Sequence, residues 1–442
     1  MSDSQEWKSR NSSNHAALEF ILLANGLRDG KGYGVAGVLF VHINFPGQFG
    51  FIAEALKNQG ENVAALGSGS ANGIAGIPMV RWSLKRGSTP GIWPDAVRAE
   101  ADLIRGRAAL DAASRLKAQG FEPDLIIGHP GWGETLFLTQ LWPDAKLILY
   151  AEMYYHAQGL DVGFDPEFPK PDLTASCRTL AKNATMAWAY TEADCLVSPT
   201  PFQASTLPRS LRDRVCIIHE GADLAQMVPD WKSPVVHEDR VYEPGLPLLT
   251  FVNRVIEPLR GCHTFFRALP AILDKVPEAK IVIVGSEQGP GYGLPSPAGT
   301  TWKEHFWKEV EPHIDSTRVD FVGSLPPEKL HQLMAISSAH VYLTYPFVLS
   351  WSLMEAMANE ALVIASDTAP VRDVIRNGDN GVLVDFFRPD LLAAAVITVI
   401  EKPDEFLSMR SRARETIVRD YDRQGTCLPK WLELIRQIRA TS

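Results

Sequence analysis

From residue 37 onward the chain alternates short aliphatic or β-branched runs with amphipathic stretches. The apolar run 38–43 leads into a loop holding Pro46, Gly47 and Gly50; an amphipathic stretch at 51–56 and a second apolar run at 62–66 follow. Strand, glycine loop, helix and strand in that order open a doubly wound α/β domain. Past a Gly/Pro/Trp-containing insertion at 67–95, the pattern predicts a helix at 96–118, a strand at 124–128, a helix after Gly133 and a strand at 146–151. A helix at 174–190 and strands at 195–198 and 215–219 complete the series. Thr200, Pro201 and Gln203 combine proline at a first helical position with capping-box spacing. Unbroken apolar strands imply a parallel sheet covered on both faces.

Residues 226–247 carry Pro229, Pro234, Pro244 and Pro247 among charged residues without a clear period, and read as a linker. A second α/β series then begins. Strands are expected at 248–252, 280–285, 319–322, 341–346, 362–366 and 382–385, with helices at 263–273, 326–336, from Ser352, at 370–376 and at 389–401, and a glycine-rich loop to about 300. The reading is therefore α/β, with two Rossmann-like domains in tandem. They span 1–225, whose first 35 residues are a polar, then glycine-rich lead-in, and 248–424; a helix within 425–442 crosses back to the first domain.

Composition narrows the class. With 442 residues, 45% hydrophobic and 21% charged, the chain is neither wholly disordered nor a coiled coil nor collagen-like. A net charge of −9 argues against a protein that coats nucleic acid, yet permits a local basic pocket for a phosphorylated ligand. Cys177, Cys195, Cys216, Cys262 and Cys427 are scattered and lack CxxC spacing, so neither a disulfide framework nor a cysteine zinc site is suggested, and a cytoplasmic setting fits. Glu19 breaks the apolar run 16–24, which reads poorly as a signal peptide, and no run approaches the length of a membrane span.

In open parallel sheets ligands bind beyond the carboxyl ends of the strands. In the first half those positions are 44–50, 129–134, 152–156 and 219–221; in the second they are 254–260, from 285, 347–352 and 367–370. Arg254 and Arg260 could converge near a helix N-terminus on a diphosphate, or make surface ion pairs. Ser352 and Glu355 have capping-box spacing, so Glu355 either caps its own helix or accepts from ribose hydroxyls, while the amides of Ser350, Trp351 and Ser352 are offered to phosphate. His129, Glu134, Glu152 and His156 could serve as acid/base groups or hydrogen-bond a polyol, beside Trp132, Tyr154 and Tyr155, whose faces suit sugar rings. Neither GxGxxG nor GxxxxGK[ST] nor GxSxG occurs, and the Asp420/Asp422 pair falls in a charged helical stretch, so metal binding there is not expected.

The segments NRVIEPLRG (253–261), IVIVG (281–285), VDFVG (319–323), LMEAMA (353–358), ASDTAP (365–370) and NGDNGVLV (377–384) resemble, in order, the donor half of glycosyltransferase family 4. FVHINFPGQF (40–49) and VGFDPEF (162–168) resemble the start and middle of a matching N-terminal domain. The resemblance implies the GT-B fold, with the active site between the domains, and retaining transfer from a UDP- or GDP-sugar without a divalent metal or other cofactor. It assigns Arg254 and Arg260 to the donor diphosphate and Glu355 to the donor ribose, in preference to capping. Gly47, with Gln48 beside it, faces the donor phosphates, and Glu152 falls where many relatives carry an active-site histidine, with His129 a second contact to the donor sugar.

The family's first glutamate is replaced by Phe347. Either a neighbour supplies that carboxylate, or sugar choice differs, or the chain is inactive. A glycan, a lipid-linked sugar or a protein are all open as acceptors, and so is peripheral contact with the inner face of a membrane. A sugar-nucleotide epimerase and a non-catalytic binding subunit are the alternatives.

Overall fold

Apolar runs buried on both faces must satisfy their backbone groups in adjacent strands, and here every such pairing is parallel. In the computed structural model, which describes residues 37–441, the first half forms a seven-stranded sheet in the order β3-β2-β1-β4-β5-β6-β7. Its strands are β1 (Gly37–Val41), β2 (Asn62–Ser68), β3 (Met79–Trp82), β4 (Pro123–Gly128), β5 (Lys146–Tyr150), β6 (Cys195–Ser198) and β7 (Val215–Ile217). Every residue of β1 is buried, as a central strand under helices on both sides requires. The lead-in at 1–35 lies outside the described residues.

A short antiparallel hairpin, β8 (Val235–His237) with β9 (Arg240–Tyr242), occupies the linker. The second half then builds a six-stranded sheet in the order β12-β11-β10-β13-β14-β15. These are β10 (Leu248–Val255), β11 (Lys280–Ser286), β12 (Val319–Phe321), β13 (Ala339–Tyr342), β14 (Val363–Ser366) and β15 (Val382–Val384). Helix Cys262–Lys275 buries Phe265, Leu269 and Ile272 at helical spacing, and Phe265 stacks on Phe251 of β10 with centroids 4.3 Å apart.

Several elements depart from the sequence reading. β3 lies inside the stretch read as an insertion, where a strand of four residues between glycine-rich and polar segments is too short to show a clear period. Helix Trp302–Val310 was not expected, although its capping box, Thr301 with Glu304, is a legible start signal. The helix expected after Gly133 shrinks to Leu138–Leu141, and the one at 174–190 divides into Leu173–Ala181 and Ala184–Glu192.

Two segments tie the halves together. Helix Leu428–Ala440 lies against the first sheet: Trp431, Leu434 and Ile435 join its core, and Arg439 pairs with Glu61 at 2.9 Å and Asp124 at 2.8 Å. In the other direction, segment 161–168 of the first half docks on the second. Asp165 accepts from the Tyr345 hydroxyl at 2.8 Å and is bonded to His263 at 2.8 Å, while Phe164 packs on Tyr345, Phe386 and Phe387. Among the described residues, no helix is long and apolar enough to cross a membrane.

Candidate functional site

The carboxyl ends of both sheets face a cleft of about 350 Å³. Its first-half wall carries Gln48, Tyr150, Glu152, Gln203, His219 and Glu220; its second-half wall carries Asn253, Arg254, Glu257, Arg260, Tyr292 and residues 348–351. A larger hollow of about 470 Å³ lies before the starts of β10, β13 and β14. Arg410 there is committed to the carbonyls of Ser337 and Ser338, and the hollow sits at the wrong end of a parallel sheet for a ligand.

The two arginines meet on one aromatic ring. The Arg254 guanidinium lies 4.3 Å from the Tyr292 centroid and that of Arg260 5.8 Å. Arg260 is buried, but its donors reach only neutral oxygens: Tyr342 Oη at 3.3 Å, Thr344 Oγ1 at 2.8 Å and the Val348 carbonyl at 3.0 Å. Arg254 donates to the Pro290 carbonyl at 3.0 Å. The surface-ion-pair reading is thereby corrected, since these bonds leave both positive charges unneutralised and able to act on an anion.

Tyr292 is held by Glu257. This buried carboxylate accepts from the amides of Tyr292 (2.9 Å) and Gly293 (2.8 Å), which fixes the glycine loop and spends the carboxylate's charge locally. Phe347, where a family glutamate would stand, is 5.4 Å from the Tyr292 ring and 5.9 Å from the Arg260 guanidinium. It serves as an apolar wall behind the arginine.

The helix N-terminus offers fewer free amides than expected. Ser350 caps helix Trp351–Ala358 by accepting from the Ser352 amide, while its own amide donates to the Tyr342 hydroxyl at 2.8 Å. Of the three amides only that of Trp351 has no partner among the described residues. The capping box is corrected too: the cap is Ser350, and Glu355 lies one turn further on, with Oε1 3.8 Å from His331 Nε2. Ser352 and Glu355 do not line the cleft. Burial lowers the His331 pKa, but Glu355 outweighs it and holds the imidazole above its ordinary value.

Across the cleft, Glu220 receives the Tyr150 hydroxyl at 2.6 Å and the Trp351 indole N–H at 2.5 Å, and so links the two walls. Burial pushes its carboxyl up, yet His219, Tyr150 and Trp351 together hold it below the ordinary carboxylate range. Glu152 is partly exposed, 3.5 Å from Gln48 Nε2 and 3.5 Å from His129 Nε2. His129 is itself buried and packs on Trp132 at 4.8 Å, so it reaches the cleft only through Glu152.

Other sequence-derived residues fall elsewhere. Trp132 and Tyr154 are outside the cleft lining. His156 is bonded to the Thr206 carbonyl, and Glu134 is fully buried, so neither reaches a cleft substrate. Gly47 has φ +50°, and a Cβ there would lie 2.5 Å from the His42 ring, so its glycine is required by packing. Burial, with His129 beside it, pushes His42 down to about 3. Asp420 is paired with Arg419, and Asp422 caps the turn that follows, so they do not form a ligand pair. Among the described residues, Asp165, Glu167 and His263 form a grouping of metal-ligand types, but it is occupied by the contacts that dock segment 161–168, including the bond from Arg267 to Glu167 at 2.6 Å.

Tyr150, Glu257 and Tyr292 were not singled out from sequence, and Gln203 was read only as part of a helix cap, which the Thr200 bond to its amide forms. Glu220 lay in a strand-end tripeptide without a role, and Tyr292 was hidden in a loop whose glycines carry no period.

Comparisons with known proteins bear on the family and the fold. Residues 59–227 match the Glycosyl transferase family 4 group, and residues 237–416 match Glycosyl transferases group 1. A D-inositol 3-phosphate glycosyltransferase of Nocardia farcinica is 28% identical over 199 residues, covering 44% of this chain and 42% of that one. A phosphatidyl-myo-inositol mannosyltransferase of Mycobacterium tuberculosis is 26% identical over 278 residues, covering 57% and 67%. The chain spans about half the length of the inositol-phosphate enzymes it matches, 42% and 52% for two of them. Among solved structures, sucrose-phosphate synthase of Thermosynechococcus elongatus superposes with a TM-score of 0.67 at 17% identity, over 92% of this chain and 100% of that one. The Anabaena protein HepE in complex with UDP and glucose gives 0.61 at 15% identity, over 91% and 100%. The fold is GT-B.

Proposed function

Because the chain belongs to glycosyltransferase family 4, we propose that it transfers a sugar from a nucleotide diphosphate to a hydroxyl acceptor, with retention at the anomeric carbon. The observation that carries this reading is the pair of unneutralised guanidiniums on the Tyr292 ring, facing carboxylates across a cleft between two parallel sheets. As the glycosidic bond breaks, negative charge grows on the leaving diphosphate, and Arg254, Arg260 and the Trp351 amide are placed to stabilise it. These groups take the part a divalent cation plays elsewhere, and the nucleotide sugar is the co-substrate. The acceptor hydroxyl attacks from the same face and passes its proton to the departing phosphate oxygen, so charge and protons balance. Glu220, a cleft carboxylate bonded to Trp351, is the neighbour offered to the donor sugar in place of the carboxylate that Phe347 lacks.

UDP-sugars are the first donors to test, since the similar HepE is seen with UDP and glucose. The inositol-directed relatives favour a polyol acceptor, free or lipid-linked. The five free cysteines fit a reducing cytoplasm. One feature favours a non-catalytic binding subunit, namely Phe347. Incubation with UDP- and GDP-sugars decides between them: slow release of nucleotide and an α-configured free sugar from an α-linked donor supports retaining transfer. Nucleotide binding with neither hydrolysis nor transfer supports the binding subunit, and an epimerised donor overturns both.

A further inference from the structure

A second cavity, of about 290 Å³, opens on the other side of Tyr292. Its walls come from both halves: segment 161–171 and helix Leu173–Ala181 on one side, and Pro258, Leu259, the 292–294 loop and Tyr345 on the other. Phe164, Phe168, Tyr292 and Tyr345 supply ring faces, while Asp161 and Lys182 supply opposite charges. Apolar walls with a few convergent polar groups are the ordinary makeup of a small-molecule site.

Resting on the glycosyltransferase reading, we propose that this cavity is the acceptor subsite and takes a neutral polyol ring, stacked on the aromatic faces and hydrogen-bonded by Asp161 and Lys182. Four observations converge on it. Tyr292 lines both cavities, so donor and acceptor would flank one side chain. Asp161 Oδ1 is enclosed without a hydrogen-bond partner, an orphan that a ligand hydroxyl can satisfy. The balanced Asp161 and Lys182 suit an uncharged ligand, in contrast to the arginine pair next door. The wall is also rigid in advance, because Asp165 is bonded to both His263 and Tyr345 and Glu167 is paired with Arg267, which lowers the ordering cost of binding.

The test is ligand-detected NMR titration of the full chain with myo-inositol and with methyl α-D-glucopyranoside, each with and without saturating UDP. Asp161→Ala and Lys182→Met each remove one polar contact, and Ala175→Phe fills the cavity from helix Leu173–Ala181 while leaving both in place; thermal melting confirms that each variant folds. At least one sugar should bind the wild type in the presence of UDP. The Asp161 and Lys182 variants should each weaken it by about tenfold, the loss of one strong hydrogen bond, and Ala175→Phe by about tenfold or more through lost space, with UDP affinity held within about twofold in all three. Absence of binding by both sugars, wild-type binding in all three variants, or displacement of the sugar by UDP overturns the proposal. If UDP fails to bind while the sugar binds in a variant-sensitive way, the donor assignment fails and the second cavity stands.

Discussion

Glu134 separates a catalytic from a structural reading of a perturbed carboxyl. It was one of the acid/base groups offered by the sequence, and a carboxyl near neutrality is what a general acid needs. In the structure neither of its oxygens has a hydrogen-bond partner, the residue is fully buried, and burial pushes its carboxyl from 4.5 up to about 7. Carrying the carboxyl that far corresponds to on the order of 3 kcal/mol. Between those two values the folded chain keeps a proton that the unfolded chain has released, so stability falls as pH rises through the window and levels off above about 7. Glu134→Gln imitates the protonated acid at every pH. Urea unfolding followed by tryptophan fluorescence should find the variant close to wild type at pH 5 and more stable by on the order of 3 kcal/mol at pH 8. Donor hydrolysis should be unchanged. A gap that stays constant with pH refutes the titration argument, and lost turnover with an unaltered stability profile places Glu134 in the chemistry.

Removing either guanidinium from the cleft, by Arg254→Ala or Arg260→Ala, should weaken UDP by about tenfold or more in calorimetry; Arg260→Ala should also lower the melting temperature, because Tyr342 and Thr344 lose their donor. Wild-type affinity in both variants would falsify the diphosphate assignment. Glu220→Gln sets an amide NH2 against one of the two donors, Tyr150 or Trp351, and should cut transfer more than UDP binding; a proportional loss of both points to a role in holding the walls together. In Glu355→Gln the His331 pKa should fall towards its ordinary value by NMR titration. The pair stabilises the fold below His331's unfolded pKa and loses that contribution as pH rises through the folded one, so the variant's stability deficit should be largest on the acid side. An accompanying loss of nucleotide affinity supports the ribose assignment, and unchanged affinity removes it. Gly47→Ala should destabilise the first half, since the new Cβ meets the His42 ring at a positive φ; a melting temperature equal to wild type refutes that packing argument.

The sequence by itself determined the alternation of strands and helices, the parallel character of both sheets and the loops from which a ligand is approached. Those properties follow from local periodicity and from glycine and proline placement, which each segment carries in its own residues. It also brought Arg254, Arg260, Glu152 and Trp351 into the discussion, because strand ends are readable once strands are. Tertiary structure alone decided what each group touches. The bond from Tyr345 to Asp165 joins residues 180 apart in the chain, and the one from Trp351 to Glu220 joins residues 131 apart. No local pattern encodes such pairs; they exist only when two finished sheets pack. For the same reason Glu134 reads as a strand-end acid and proves to be sealed in the core, and the offered amides of Ser350 and Ser352 prove to be taken. Periodicity states which face of a segment is buried, whereas desolvation and charge balance depend on which other segment buries it.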